Sequence, residues 1–198
     1  MRSQPSQYLT IDQLVNMIEP VYRNGCTSIL EENCVLFEQA AGSTHNHQTW
    51  VGGYIDHVTE VMNIAVILYE CMNNVRCLPF SLSDILLVLF LHDIEKPWRF
   101  EDDGSGGKRN VSGLENKEGR HSFRLVKLVE YGIYLTPDQM NALTYVEGEH
   151  KDYSAEHRVM NPLAAFCHMC DVASARIWFD HPDQEHESWA RARRFRSL

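Results

Sequence analysis

Six polar residues lie on apolar stripes of predicted helices, where each needs a partner. At helical spacing His57 shares a face with Val61, Ile64 and Leu68, His92 follows Ile85 and Val88, and the adjacent Asp93 follows Leu86 and Leu89. His121 precedes Leu125 and Leu128, His150 follows Leu143 and Val146, and Asp171 lies among Ala164, Cys167, Ala175 and Trp178. An unpartnered aspartate is expensive to bury, and one shared metal site would satisfy all six residues. Taken singly, each histidine reads more simply as a hydrogen-bonded core residue and each carboxylate as the partner of an arginine. The His92-Asp93 pair carries more information. It ends a fully apolar helix, puts two ligand types at one point, and is followed one turn later by Lys96.

The elements that must position these groups are helical almost throughout. Apolar residues recur at helical spacing, and no stretch shows the sustained alternation of a strand. Helices are expected over Ile11 to Glu19 and Ser28 to Ala40, with Pro20 as a stop between them, then from Tyr54 to about Cys71 after the Gly52-Gly53 break. Ser81 or Ser83 can cap the next helix, which carries Ile85 to Leu91 and ends near Pro97. Further helices are expected over Gly119 to Tyr131, Thr136 to about His150, Pro162 to about Phe179, and Asp183 to Arg196. Between them, Glu101 to Gly119 holds five of the eleven glycines and reads as a long mobile loop. The fold class is therefore all-α, a helical bundle with an N-terminal helical extension over residues 8–41 and a C-terminal helix over 183–196. One domain spanning 1–198 is expected.

Composition narrows the function classes. The 198 residues are 44% hydrophobic and 23% charged, an ordinary globular balance long enough to bury a core unaided. A metal in such a chain is functional rather than structural. The formal charge of −9 argues against a bulk nucleic-acid binder. The longest apolar run, Ile85 to Leu91, is too short to span a bilayer, and Met1 to Thr10 lacks a signal-peptide core, so a cytoplasmic, non-membrane protein is expected. The Cys167/Cys170 pair reads as two buried helical thiols.

The order Gly52-Gly53-Tyr-Ile-Asp-His57, then Leu91-His92-Asp93-Ile-Glu-Lys96, then Cys167-His-Met-Cys-Asp171 resembles the HD-domain superfamily of metal-dependent phosphohydrolases, over roughly Asn46 to Arg176. The resemblance implies an HD-like bundle in which His57, His92, Asp93 and Asp171 ligate a metal. Two-metal branches place two further histidines between the His-Asp pair and the last aspartate, which here would be His121 and His150. The chain departs from that pattern at Glu149, where those branches have a histidine, and at Glu95, where the family has a glycine; the latter is expected to alter the substrate entrance.

A mixed His and carboxylate set suits Mn, Fe, Co, Ni, Zn or Mg and leaves positions open for catalysis. Such a metal supplies hydroxide near neutral pH and polarises a phosphoryl oxygen. From Lys96 to Lys127 eight basic residues face five acidic ones, a positive segment in an acidic chain. Lys96, Arg99, Arg120 and Arg124 are the candidate phosphate contacts, with Asp93 and Lys96 in the catalytic roles. Lys108, Arg109 and Lys117 read equally as solvated loop charges. His45 and His47 either line the site or belong to a flexible loop, and Trp98 and Phe100 favour core packing over stacking on a base. The leading expectation is a metal-dependent phosphohydrolase acting on a nucleotide or another small phosphate ester. A di-iron oxygenase using His121 and His150 and a non-catalytic helical binding module are the alternatives, and oligomeric state stays open.

Overall fold

The structure, a computed structural model, describes residues 7–102 and 108–195. Among them, the regular elements are eight α-helices, one short hairpin, two 3-10 turns and one π-helical turn. α1 (Ile11–Val15) opens on a capping box in which Thr10 accepts from the Gln13 backbone N–H and Gln13 reaches back to Thr10. α2 is Pro20–Glu32 and α3 is Cys34–Gln39. The chain division expected at Pro20 is real, but the proline starts α2 rather than preceding a loop. Its fixed φ and missing N–H suit the first helical position.

α4 (Gly53–Val75) is the longest helix and is buried on every side from Gly53 to Ala65. Gly52 supplies its N-terminal turn at φ +83, and Gly53 admits a close backbone approach, since a Cβ there would lie 1.9 Å from the Gln48 carbonyl oxygen. α5 (Leu82–Leu91) is capped by Ser81, whose hydroxyl accepts from Asp84 N–H, and packs against α1, α2, α4, α7 and α8. Every residue from Ile85 to Leu91 is buried, so this helix is the centre of the core. Each such aliphatic side chain contributes about 1.5–3 kcal/mol of transfer free energy, which holds the polar end of α5 in place.

The segment expected as a loop contains an antiparallel pair, β1 (Phe100–Asp102) and β2 (Lys108–Asn110), with Phe100 opposite Asn110. Residues 103–107, part of that expectation, lie outside the described residues. α6 (Lys117–Glu130) is capped by Asn116, and α7 (Pro137–Tyr145) by Thr136. α8 (Pro162–Val172) continues into a π-helical turn over Ala173–Ile177, so the helix expected to reach Phe179 stops short as an α-helix. The helix expected over 183–196 is absent from the described residues 183–195. Asp183 accepts from Glu185 and His186 N–H as a helix N-cap would, but Glu187 then accepts from Asp183 N–H and from Trp189 N–H, and a continuing helix would bond the latter to the Glu185 carbonyl. Trp189 stands edge-on to Tyr8 and Trp178, Arg194 lies 3.6 Å above the Trp50 ring, and Phe195 N–H donates to Asp56 at 2.7 Å. Cross-chain anchoring thus replaces helical bonding. No described helix is long and apolar enough to cross a membrane.

Candidate metal centre

α4, the end of α5 and the end of α8 bring four of the expected ligands to one point. His57 projects from the buried half of α4, His92 closes α5 as its C-cap, Asp93 follows in the turn, and Asp171 sits in the last turn of α8. His57 Nε2 lies 3.3 Å from Asp171 Oδ1 and 3.5 Å from Asp93 Oδ2, while His92 Nε2 lies 3.1 Å from Asp93 Oδ2 and 3.7 Å from Asp171 Oδ1. Ligand atoms of His57, His92 and Asp171 all fall within 4.8 Å of one another, so this group can hold a metal ion.

The nitrogen chemistry fits a cation. Both Nε2 atoms are buried without a hydrogen-bond partner in line, although carboxylates surround them. The opposite ring nitrogens are engaged: His92 Nδ1 is 2.6 Å from the Leu89 carbonyl, to which it can only donate, and His57 Nδ1 is 3.1 Å from Ser174 Oγ. An imidazole held by a donated Nδ1–H turns its Nε2 lone pair toward a metal. Electrostatics demand positive charge at the same point. Burial opposes charge on His92, yet Asp93 and Asp171 outweigh it and raise its pKa to about 10. Burial likewise opposes ionisation of both aspartates; His92 and Lys96 hold Asp93 well below the usual carboxylate range, and His57 and His92 do the same for Asp171.

Lys96 stands between this cluster and a cavity. Its Nζ is 2.5 Å from Asp93 Oδ2, and it also lines a cavity of about 790 Å³ between residues 36–49 and 96–100. Among the described residues lining that cavity there is no acidic side chain. Arg99 lines it too, with its guanidinium 5.3 Å from the Phe100 ring and its Nε buried without a hydrogen bond. His47, another lining residue, packs its ring 4.5 Å from that of His57. Burial, with His57 and Lys96, lowers the His47 pKa to about 4, so the imidazole is neutral.

Other expected site residues lie elsewhere. Arg124 is buried and spent on Glu95, bonded through Nε at 2.7 Å and Nη2 at 3.0 Å, and on Glu147 at 3.2 Å. Two carboxylates thus hold its Nε and Nη2, and Arg124 is not among the described residues lining the cavity. Glu95, 2% exposed, faces that arginine and is not among the described residues lining the cavity. Arg120 bonds weakly back to the Glu115 carbonyl at the start of α6. His121 is half-buried on α6, its pKa lowered by burial, Arg124 and Lys117, and it joins no group of close ligand atoms among the described residues. His150 is exposed in a 3-10 turn at φ +46, since α7 ends at Tyr145 and Gly148, at φ +102, redirects the chain. Trp98 packs against Phe37 and Phe123, and Cys167 and Cys170 are buried thiols, as expected.

Three residues around the cluster escape the sequence reading: Gln48, Glu60 and Ser174, all buried. Glu60 had a signal, an acid on the apolar face of α4 one turn after His57. Ser174 and Gln48 had none, because a π-helical turn and an irregular loop bring them in.

No family model matches the chain, and no solved structure matches it. It is 23% identical over 146 residues to the dihydroneopterin 2',3'-cyclic phosphate phosphodiesterase of Methanocaldococcus jannaschii, a match covering 72% of this chain and 54% of that protein. The chain thus spans about half the length of the curated relative it matches. A distant homologue is a phosphodiesterase, and the His/Asp cluster of this chain can hold a metal.

Proposed function

We propose that this chain is a metal-dependent phosphohydrolase of the HD-domain type, cleaving a phosphodiester or another small phosphate ester. The observation that carries the reading is the convergence of His57, His92, Asp93 and Asp171, with two orphaned Nε2 atoms, at the edge of a cavity whose described lining holds Lys96 and Arg99 and no carboxylate. These four residues would hold a divalent transition metal. When bound, that ion supplies a water nucleophile near neutral pH and polarises a phosphoryl oxygen.

The protein's own groups do the rest. Lys96 balances Asp93 and presents its ammonium where a phosphoryl oxygen would lie, and Arg99 offers an Nε–H that no protein group uses. Fixed cations of this kind stabilise charge spread over the transferring group without reorganisation. Neutral His47 keeps a ring nitrogen for the ester without adding charge. The relative's cyclic phosphate supports a small phosphodiester as substrate, and the cavity volume is that of a small-molecule site. That His121 and His150 do not join the cluster favours this reading over a two-iron oxygenase.

The test is phosphate-ester cleavage across 2',3'-cyclic, 3',5'-cyclic and linear substrates with Mn, Fe, Co, Ni, Zn and Mg in turn, alongside Asp93→Ala. Cleavage that needs a metal and vanishes in the variant supports the proposal. Cleavage unaffected by Asp93→Ala overturns it.

A further inference from the structure

Gln48 is fully buried yet holds a left-handed φ of +38, a conformation rare for a residue with a side chain. Its backbone is pinned there: Gln48 N–H donates to the Phe179 carbonyl and its own carbonyl accepts from Gly42 N–H, each at 2.8 Å. Its amide nitrogen faces four oxygens, Glu60 Oε2 at 3.2 Å, Ser174 Oγ at 3.3 Å, and the carbonyls of Trp178 at 3.2 Å and His181 at 3.0 Å. More acceptors than amide hydrogens surround that end, so the nitrogen must point there and Oε1 must face His47 Nδ1, 2.7 Å away. An amide oxygen only accepts. His47 therefore carries its proton on Nδ1 and leaves Nε2 as an acceptor.

The nitrogen end acts on the second histidine. Because the Gln48 N–H faces Glu60 Oε2, a carboxyl proton is disfavoured on that oxygen in either charge state, and Oε2 remains an acceptor. Ser174 then donates its hydroxyl to Oε2, at 2.5 Å, which leaves Oγ to accept from His57 Nδ1–H at 3.1 Å. With Nδ1 protonated, the His57 Nε2 lone pair faces Asp93 and Asp171. Without Gln48, Oε2 could take the proton, the Glu60-to-Ser174 bond could reverse, and His57 would present an N–H to the metal position.

We propose that Gln48 is a positioning residue that sets the tautomers of both His47 and His57 with the two ends of one amide, and so holds the centre in its metal-accepting form. The inference rests on the metal-centre reading for His57 and is independent of it for His47.

The test uses histidine-15N-labelled full-length protein, with long-range proton-nitrogen spectra recorded metal-free and zinc-loaded, and zinc affinity measured against a competing chelator. Wild type should show both imidazoles with the proton on Nδ1 when zinc is bound. Gln48→Leu should lose that pattern at His47 and weaken zinc roughly 10–100-fold. Ser174→Ala should weaken zinc similarly but leave His47 unchanged, and Ser174→Thr, which keeps the hydroxyl, should stay close to wild type. Should Gln48→Leu fail to fold, the Ser174 pair decides: equal zinc affinity in Ala and Thr overturns the relay. An unchanged His47 tautomer and zinc affinity in folded Gln48→Leu overturns the role of the amide. Absence of zinc binding by wild type would sink the metal reading, while the metal-free His47 spectrum would still judge the amide oxygen.

Discussion

His57 of α4 and Asp171 of α8 meet with Nε2 and Oδ1 3.3 Å apart, although they come from distant parts of the sequence. α4 and α8 pack directly on each other, and α5 packs against both and delivers His92 and Asp93 beside them. Removing one carboxylate should therefore disable the centre rather than shift it. Asp171→Ala is expected to reduce bound metal to trace levels by elemental analysis and to lower ester cleavage by about a hundredfold or more. Retained stoichiometric metal with full activity would show that Asp171 is not a ligand.

Arg99 and Arg120 separate the two arginines that composition alone treats alike. Arg99 lines the cavity with an unused Nε, whereas Arg120 bonds to its own loop. Arg99→Ala should raise KM roughly tenfold or more with metal content intact, as expected from losing a charged hydrogen bond. Arg120→Ala should change neither parameter by more than about twofold. Steady-state kinetics on both variants would reveal the opposite ranking if the cavity is not the substrate site.

The Arg124 and Glu95 pair is a matter of stability. Both side chains are almost fully buried, so Arg124→Ala strands the Glu95 carboxylate and should destabilise the fold by about 3–5 kcal/mol in urea unfolding. Replacing both, as Arg124→Met with Glu95→Leu, should recover most of that loss. A double variant no better than the single would mean that packing, not stranded charge, sets the effect.

Glu60 predicts a pH dependence. Burial pushes its pKa up to about 8, against the Ser174 hydroxyl, which lowers it. The folded state then binds more protons than the unfolded state between the ordinary glutamate value of 4.5 and about 8, so stability must fall as pH rises through that window. Glu60→Gln cannot ionise. Its thermal unfolding midpoint should decline less than wild type between pH 5 and 8, the two curves diverging upward with pH. Parallel curves would show that Glu60 titrates alike in both states.

The linear order of residues was enough to reveal a helical protein and the four residues that meet at its candidate centre. Helical periodicity is local, and His57, His92, Asp93 and Asp171 each interrupt an apolar stripe in a way that burial makes costly. The same reasoning placed His121 and Arg124 on inward faces, and Arg124 is indeed buried. Periodicity gives a face but not a neighbour, however. Arg124 faces Glu95 and Glu147, and His150 leaves the bundle because α7 stops at Tyr145.

Tertiary structure alone decided what surrounds the ligands. Ser174 reaches His57 from a π-helical turn, Gln48 reaches Ser174 and His47 from a loop at positive φ, and the expected C-terminal helix gives way to a segment tied to Trp50 and Asp56. These positions depend on packing between distant segments, which no spacing within one segment encodes. The residues that could bind a metal were legible in the sequence because burying them needs a local reason. The residues that orient them were not, because a serine or glutamine acquires meaning only from the atoms it meets.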